Sequence, residues 1–452
     1  MKKVFALLMV MVMLLSLAAC GKKSDSTATG NNEPAETKAN TATETPAATE
    51  APTATETPAV SKSEPTDLTM WCIAVESDSN RHAYETAIAD FQAAHPEINL
   101  KWEATQNQDY KTKIKAAAAA NELPDIFFTW GGGFLREFVD AGRVYCLDDA
   151  YADYASELPD KVLTNHTFDG KRYAAPTNYN AVAMFANTDL LKQAGFDKVP
   201  GTYEDLMACC DALVAKGIIP FGCSGKETWC VTEYLESIIE KSVGASTLTD
   251  MYLGKTPWNN EGVIKAVDNF QEMINKKYFD PEGIALSNDE VKANFIAGKY
   301  AFYINGTWNC ASFTDIADKV QIAEFPVIDS TKSQLGELIG GPSDSLAVSA
   351  SSQNPEVAAK AAFELAKGVS HYGYLDGNGL PAWTPDYDTS SVNKLTLTVA
   401  DIINNSKQSV LFGDGIQSAD NANIYLDYVS QIYASAIDGK KFVEKLDQDL
   451  KK

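Results

Sequence analysis

The chain has 452 residues and carries 61 acidic side chains against 38 lysines and arginines, for a formal net charge of −23. Such a negative balance argues against binding to nucleic acid and against adsorption to an anionic membrane surface, because both need basic patches. The length exceeds what one compact hydrophobic core usually holds, so two lobes are expected.

The N-terminus has the pattern of an export signal. Two lysines precede an apolar run from residue 4 to residue 15, which is too short for a membrane-spanning helix but typical of a signal peptide. Leu17-Ala18-Ala19 then leads into Cys20, and small residues directly before a cysteine resemble the bacterial lipobox. We therefore expect residues 1–19 to be removed and Cys20 to be lipidated. An ordinary secretion signal with an incidental cysteine is the alternative.

Residues 20–65 are predicted to be a disordered tether behind this anchor. They consist almost entirely of Ser, Thr, Ala, Glu, Pro and Asn, and the sequence ATETP occurs at both 42–46 and 54–58. A segment with so few large apolar side chains cannot offset the entropy lost on ordering. About 45 such residues have an r.m.s. span of roughly 35–40 Å, which would hold a folded domain clear of the membrane.

The first part of the remaining chain alternates strand and helix patterns. A strand at 68–73 precedes a helix at 81–95, which Pro96 ends. A strand with alternating apolar residues at 98–102, a helix at 110–120 and a buried strand at 124–128 follow.

The alternation resumes farther along the chain. Thr202 is predicted to cap a helix that ends at Gly217, followed by a strand at 218–221. Further helical patterns occupy 263–274, 355–367 and 425–437. Strand–helix–strand alternation in two blocks predicts two α/β lobes with parallel-rich sheets. Ligands of such folds bind in the crevice at the carboxyl ends of the strands.

The cysteines and histidines do not indicate a metal or cofactor site, and we expect neither. Seven cysteines follow Cys20 without zinc-ligand spacing or a CxxC motif. We expect mostly buried thiols, with Cys223 and Cys230 the pair close enough in sequence to suggest a bridge. The four histidines are dispersed, and residues 222–225 are one residue short of a nucleophile elbow. An enzyme is therefore not expected.

Short motifs occur in a fixed order along nearly the whole mature chain. They are FQAAHPEI at 91–98, LPDI at 123–126, GKRYAAP at 170–176, NTDLLKQAG at 187–195, PGTYEDL at 200–206, FIAGKYA at 295–301 and INGTW at 304–308. Their order and spacing resemble the extracellular solute-binding protein family 1. That group contains maltose-, raffinose- and oligosaccharide-binding proteins of ABC importers.

This resemblance implies a two-lobed, periplasmic-binding-protein-like α/β fold with an interlobe ligand cleft and three hinge crossovers. The first lobe is expected at 66–177 plus 319–368, and the second at 178–318 plus 369–452. It also implies permease and ATPase subunits as partners. We expect a monomer that is lipid-anchored on the outer face of the cell membrane of a Gram-positive bacterium.

A sugar site needs flat aromatic surfaces, because a pyranose has an apolar face of C–H groups inside a rim of hydroxyls. Stacking on one such face contributes on the order of 1 kcal/mol. Trp130 and Trp308 are the leading candidates, since each follows a strand and has glycines nearby. Trp229, Trp258 and Trp383 lie in loop-like stretches and are further candidates, with a core position as the alternative for each.

Polar candidates lie in loops expected near the cleft. They are Glu76 and Asp78, after the first strand, where family members place sugar-binding side chains, and Asn178, Asp344 and Asp376. Tyr425, in the C-terminal helix pattern, resembles an aromatic residue that lines the cleft in relatives. A solvated loop position is the alternative for each carboxylate, and a core position for the tyrosine.

The sequence favours a binding protein that delivers a sugar, and specifically an oligosaccharide, to an ABC importer. The main alternative is the same transport role for a cation such as a polyamine, which would suit the negative charge and aromatic cages. A surface adhesin, or a secreted glycosidase that needs only two carboxylates, is a further alternative.

Overall fold

The computed structural model describes residues 65–451. The predicted signal peptide at 1–19, the lipid site at Cys20 and all of the tether except Pro65 lie outside these residues. Across residues 65–451, no helix is both long enough and apolar enough to cross a membrane.

The strands are numbered in chain order. They are β1 Thr66–Cys72, β2 Ile98–Ala104, β3 Ile126–Trp130, β4 Thr167–Phe168, β5 Lys171–Arg172, β6 Ala174–Pro176, β7 Asn178–Asn187, β8 Ile219–Gly222, β9 Tyr300–Gly306, β10 Val320–Ala323, β11 Glu337–Gly341, β12 Asp344–Val348, β13 Leu380–Pro381 and β14 Gln408–Val410.

The α-helices are numbered in the same way. They are α1 Arg81–Ala94, α2 Asn107–Ala120, α3 Gly133–Asp140, α4 Asp148–Tyr151, α5 Thr188–Gln193, α6 Tyr203–Ala215, α7 Thr228–Val243, α8 Ala245–Tyr252, α9 Glu261–Asn275, α10 Asn288–Ile296, α11 Pro355–Asp376, α12 Lys394–Asn404, α13 Gly413–Ile416, α14 Ala419–Tyr433 and α15 Gly439–Asp449.

The first lobe is built on a five-stranded sheet with the order β2-β1-β3-β12-β6. β1 runs parallel to β2 and β3, whereas β12 runs antiparallel to β3 and β6. Alternate residues of β1, such as Leu68 and Met70, are fully buried, as expected of a strand with one face on a core. Helices α1 and α11 pack together, and Gly368 permits this because a Cβ there would lie 2.8 Å from the Cβ of Ala87.

The second lobe is built on a sheet with the order β14-β11-β7-β9-β8, and β10 and β13 also pair with β7. All seven residues of β9 are buried, because apolar clusters cover both faces of this sheet. One cluster includes residues of α7, α9, α14 and α15, and the other includes residues of α10 and α12.

The chain passes between the two sheets at three places. β6 continues into β7 at 176–178, β11 into β12 at 341–344, and α11 leads to β13, which pairs with β7, at 376–380. The two-lobed α/β fold with three crossovers is therefore confirmed.

The lobe boundaries differ from the expected ones. β10 and β11 pair with β7, so the return to the first lobe begins at Asp344 rather than at residue 319. α11 continues to Asp376, eight residues past the expected limit of 368. Which sheet a strand joins depends on its tertiary partners, and its local sequence pattern does not carry that information.

Most predicted elements are present, with shifted ends. The cap at Thr202 is confirmed, because its hydroxyl accepts a hydrogen bond from the Asp205 amide at 3.1 Å. The helix expected at 425–437 instead spans Ala419–Tyr433. All seven cysteines of the described range are free thiols, so Cys223 and Cys230 form no bridge.

Candidate ligand-binding cleft

A cavity of about 200 Å³ lies between the lobes and is lined by side chains of both. Its first-lobe wall is formed at the end of β3 and the start of β12. Trp130 pairs directly with Asp344 in the register of these antiparallel strands, so the two residues occupy the same edge of the sheet. Asn178 begins β7 just beyond this edge, and its amide donates to Asp344 Oδ2 at 3.3 Å.

Three glycines follow Trp130, and the last two, Gly132 and Gly133, allow the second lobe to approach. Gly132 has φ +72°, a conformation that glycine adopts without strain. A Cβ on Gly133 would lie only 1.8 Å from the carbonyl oxygen of Gln417. The short helix α13, which carries Asp414, and the preceding Phe412 are thereby brought against the end of β3.

The Trp130 ring is held by neighbouring aromatic rings. Its centroid lies 4.8 Å from that of Phe128 and 5.0 Å from that of Phe134, both in edge-to-face contact. The Lys111 ammonium lies 4.9 Å from its centroid, within cation–π range. The result is a fixed aromatic surface that remains partly exposed.

The second-lobe wall carries a cluster of three aromatic rings from separate segments. Trp308 lies between Trp229 and Phe412, with ring centroids 6.0 Å from each. Trp308 directly follows β9 and folds back over Gly306, where a Cβ would lie 2.1 Å from its ring. Glycine at 306 is therefore what lets the indole adopt this orientation.

Two carboxyl groups of the first-lobe wall have raised pKa values. Burial raises the pKa of Asp78 to about 6, against the lowering effects of the hydrogen bond from the Asn80 amide, at 2.8 Å, and of Lys292. Burial also raises the pKa of Asp344 to about 6, opposed by the hydrogen bond from Asn178 and reinforced by the negative charge of Asp78. Both groups therefore exchange protons close to pH 6.

The polar groups of the second-lobe wall are positioned by two helix starts, those of α7 and α10. The amide of Asn288 donates to Glu227 Oε2. The side-chain oxygen of Asn288 accepts from the Tyr303 hydroxyl at 2.7 Å. The capping box formed by Ser287 and Glu290 fixes the start of α10.

The lining charges are mostly negative. Among the described lining residues are six carboxylates, namely Asp78, Glu227, Glu233, Asp289, Asp344 and Asp414. The lining lysines are Lys111 and Lys292, and each lies beside a lining carboxylate, at 3.5 Å from Asp414 and 3.1 Å from Asp289 respectively. An anionic ligand would find no unpaired cation among them.

The structure brings together six of the residues predicted from sequence. The cavity is lined by Asp78, Trp130, Asn178, Trp229, Trp308 and Asp344. The three tryptophans of this set are partly exposed, as an aromatic surface open to a ligand must be.

Three predicted aromatic residues are buried away from the cavity. Trp258 is 2% exposed and packs among the second-lobe core residues. Trp383 packs in the first-lobe core, and its indole N–H donates to the carbonyl of Pro176 at 2.9 Å. Tyr425 is fully buried, with its hydroxyl 3.3 Å from that of Tyr252. Each of the three is therefore part of a lobe core and does not line the cavity.

Two predicted carboxylates also lie outside the cavity lining. Glu76 points to solvent and forms an ion pair with Arg81 at 3.2 Å. Asp376 ends α11 and pairs with His82 at 2.8 Å. Both follow strand or helix ends as expected, but their side chains interact with α1 rather than facing the cleft.

Sequence reasoning missed lining residues on α2, α7, α10 and the short helix α13. They include Asn107 and Lys111 on α2, Glu233 on α7, Asn288 and Lys292 on α10, Asp414 on α13 and Phe412 directly before it. The Ser287–Glu290 capping pattern and the glycine-rich sequence at 412–415 were readable signals of exposed helix and loop starts. Lys111 and Glu233 carry no such local signal.

Two α/β lobes joined by three crossovers around an aromatic, carboxylate-lined cleft define the class of two-lobed solute-binding proteins. The model of the bacterial extracellular solute-binding protein family matches residues 77–368. The chain belongs to this family.

Individual relatives are similar in sequence to half of the chain or more. A multiple sugar-binding protein from Streptococcus mutans is 22% identical, over 65% of this chain and 70% of that protein. An uncharacterized ABC transporter extracellular-binding protein from Pyrococcus horikoshii is 22% identical, over 50% of this chain and 53% of that protein. The match thus spans about half the length of the archaeal relative.

A solved structure from work on xylan utilization by the thermophilic bacterium Caldanaerobius polysaccharolyticus is 33% identical to this chain. The superposition covers 85% of this chain and 100% of that one, with a TM-score of 0.82.

Proposed function

We propose that this protein captures an uncharged oligosaccharide between its lobes and delivers it to an ABC importer. The observation that carries the proposal is the pairing of aromatic surfaces across the cleft. Trp130 lies on the first-lobe wall, and Trp229 and Trp308 lie on the second. The streptococcal relative named as a sugar-binding protein and the structure from work on xylan utilization support it.

The chemistry of the cleft suits a pyranose. Partly exposed rings receive the apolar C–H face, each stacking contributing on the order of 1 kcal/mol. The ring edge carries hydroxyls that need both donors and acceptors. Asn178, Asn288, Asp78 and Asp344 supply them around the tryptophans. A buried side-chain oxygen of Asn107, which has no partner within residues 65–451, also lies at this wall.

Capture requires that the ligand contact both lobes at once. A ligand shifts a conformational equilibrium only by its difference in affinity for the two states. A sugar stacked on Trp130 alone would bind an open and a closed form equally. A sugar that also meets Trp308 favours the closed form, which is the form that we propose the importer recognises.

The proposal includes the location and partners expected from the sequence. Cys20 would carry the lipid that holds the protein on the outer face of the cell membrane of a Gram-positive bacterium, and residues 20–65 would extend the domain from it. The partners would be the permease subunits, with the protein acting as a monomer. The role is binding and not catalysis, in keeping with a family of solute-binding proteins.

A second candidate ligand class is a polyamine. The observation that favours it is the excess of six carboxylates over two lysines among the described lining residues, since cations bind to carboxylates and aromatic faces. It would leave the transport role unchanged and replace only the ligand.

Thermal melting across a ligand panel tests the proposal. The chain without residues 1–19, carrying Cys20→Ser, would be heated with xylo-, malto-, chito- and galacto-oligosaccharides and with spermidine. A ligand at 100 times its Kd adds about 2.7 kcal/mol to stability, which raises Tm by a few degrees. We expect one group of related oligosaccharides to do so.

Two tryptophan variants locate the site in the same experiment. Trp308→Ala should lose the ligand-induced shift, while Trp258→Phe, a core change, should lower Tm and keep the shift. A shift produced by spermidine alone would replace the sugar with a cation. No shift with any oligosaccharide would refute the proposed ligand class.

A further inference from the structure

Glu233 is a buried carboxyl group at the wall of the cleft, and it has no hydrogen-bond partner among residues 65–451. It is 1% exposed and contributes to the cavity lining. Neither side-chain oxygen has a partner within the part of the chain that the structure describes. Buried polar atoms are almost always paired, so the unpaired oxygens of Glu233 indicate a position where a ligand group is received.

The position of Glu233 follows from the face of α7 that meets the cavity. Trp229, Thr232 and Glu233 are three and four residues apart, share this face, and all line the cavity. Glu236 continues the same face deeper into the lobe, where its Oε2 accepts from the amide of Gly413 at 3.3 Å. Asp414 comes next in the chain and lines the cavity again.

Glu233 therefore lies near two further carboxyl groups, those of Glu236 and Asp414, and of the three only Asp414 pairs with a lysine within the described residues. The lining lysines of the described range lie beside Asp414 and Asp289, and neither lies against Glu233. Buried like charges without compensation are unfavourable, and protonation relieves them. Burial, together with the negative charges of Glu236 and Asp414, raises the pKa of Glu233 well above its usual value. Burial likewise raises the pKa of Glu236 to about 8.

The other titratable groups near Glu233 add no positive charge. They are Cys223, Cys230, Tyr234 and Tyr303, and burial raises the pKa of each well above its usual value. All four are uncharged at neutral pH, so nothing in this set stabilises an ionised Glu233.

We propose that Glu233 gives the cleft its preference for a neutral sugar: as an uncharged carboxylic acid it exchanges one donated and one accepted hydrogen bond with a sugar hydroxyl, while the remaining carboxylates of the cleft reject anionic ligands. A hydroxyl can both donate and accept, whereas an ammonium group only donates and would require the ionised form. A uronic acid or phosphate group would meet carboxyl groups and no unpaired lysine. The inference rests on the proposed function because it takes the ligand to be a sugar.

The binding test uses matched substitutions and defined probes. The probes are xylotriose, maltotriose, chitotriose, a glucuronic-acid-substituted xylo-oligosaccharide and spermidine, measured by calorimetry at pH 7. Glu233→Gln keeps a donor and an acceptor and should hold the affinity for the neutral sugar within about threefold, whereas Glu233→Leu should weaken it at least ~10-fold. Glu240→Gln changes a buried carboxyl of the same helix outside the cavity lining and should have no effect on affinity.

Two further measurements test the rejection of anionic ligands and the uncharged state of Glu233. The acid-substituted oligosaccharide should bind the wild type at least ~10-fold more weakly than the matched neutral sugar. Difference infrared spectra with and without the neutral sugar should show a shifted carboxylic-acid C=O band in the wild type and in Glu240→Gln, and no such shift in Glu233→Gln.

The outcomes separate this inference from the proposed function. Binding of a neutral sugar with equal affinity in Glu233→Leu would overturn the inference and leave the function standing. An equal loss of affinity for the neutral sugar in Glu233→Gln and Glu233→Leu would show that Glu233 does not bind the sugar as an uncharged acid. Failure of every neutral sugar, or binding of spermidine in their place, would refute the proposed function and the inference with it. Melting curves of each variant establish that it is folded.

Discussion

Asp344 lies where ligand binding and stability have opposite requirements. Its carboxyl group faces the cleft beside Asp78 and Asn178, and its pKa is raised to about 6 mainly by burial. A carboxyl whose folded-state pKa is raised contributes most to stability below its unfolded pKa near 3.8. That contribution is lost as the pH rises through 6.

The variant Asp344→Asn should therefore be more stable than the wild type at pH 8, by about 1–3 kcal/mol. At pH 3.5 the two should have nearly the same stability, since the wild-type group is then protonated in the folded state and mostly protonated in the unfolded state. Urea unfolding at both pH values measures the difference. Equal stabilities at pH 8 would show that the charged group is not penalised in the folded protein.

The tryptophans show how far residue-level prediction reached. Trp130 and Trp308 were predicted at the cleft because each follows a strand, and both line it. Trp258 and Trp383 lie in similar Gly- and Pro-flanked sequence, yet both are buried in the lobes. Flanking residues predict a loop, but the direction in which an indole packs depends on residues far away in the sequence. For Trp383 one of these is Pro176, whose carbonyl oxygen accepts a hydrogen bond from the indole N–H.

At the scale of elements, the turn after β9 orients the second-lobe aromatic cluster. Gly306 has φ −67° and ψ 151°, a conformation open to any residue, so its glycine is needed for space alone. A Cβ there would lie 2.1 Å from the Trp308 ring. The absence of a Cβ at Gly306 therefore determines how the Trp308 ring is placed on the wall of the cleft.

Gly306→Ala should displace the indole and weaken ligand binding by roughly tenfold, with a loss of about 1–3 kcal/mol of stability from overpacking. Gly201→Ala is the matched control, because nothing lies within 4 Å of a Cβ at that position. Isothermal titration and thermal melting of both variants make the comparison. Unchanged affinity in Gly306→Ala would show that the ring orientation does not matter for binding.

Helix boundaries were predicted well where a cap was local and poorly where packing decides. Thr202 and Pro96 mark ends that the structure confirms within two residues. α11 instead continues through Gly368 to Asp376, although glycine disfavours a helix interior by about 1 kcal/mol. The close approach to Ala87 that Gly368 permits is a tertiary contact that no local pattern shows.

At the scale of the whole molecule, the family resemblance that the order of motifs carries implied two lobes, three crossovers and a cleft. It did not predict correctly which lobe each strand joins. β10 and β11 pair with β7 in the second lobe, whereas both were expected in the first lobe. The charge environment of Glu233 was also beyond sequence reasoning. It arises from Glu236 on the same helix and from Asp414 on α13, far along the chain.

The proposed anchor makes a prediction for the complete protein. Cys20→Ser should move the protein from the cell membrane fraction to the culture medium, because a secreted chain without a lipid has no other proposed attachment. Fractionation followed by immunoblotting measures this. Retention of the variant on the cells would show that another feature holds it there, and a wild-type protein in the medium would contradict lipidation.

The interleaved crossovers also govern when each lobe can be completed as the chain emerges during synthesis. β12 lies between β3 and β6 in the first sheet, yet 167 residues of chain separate Thr177 from Asp344. The second-lobe core in turn includes Phe442 and Leu446, near the C-terminus. Neither lobe can complete its core before these distant segments have been synthesised, which would keep the nascent chain in the unfolded state that the proposed export requires.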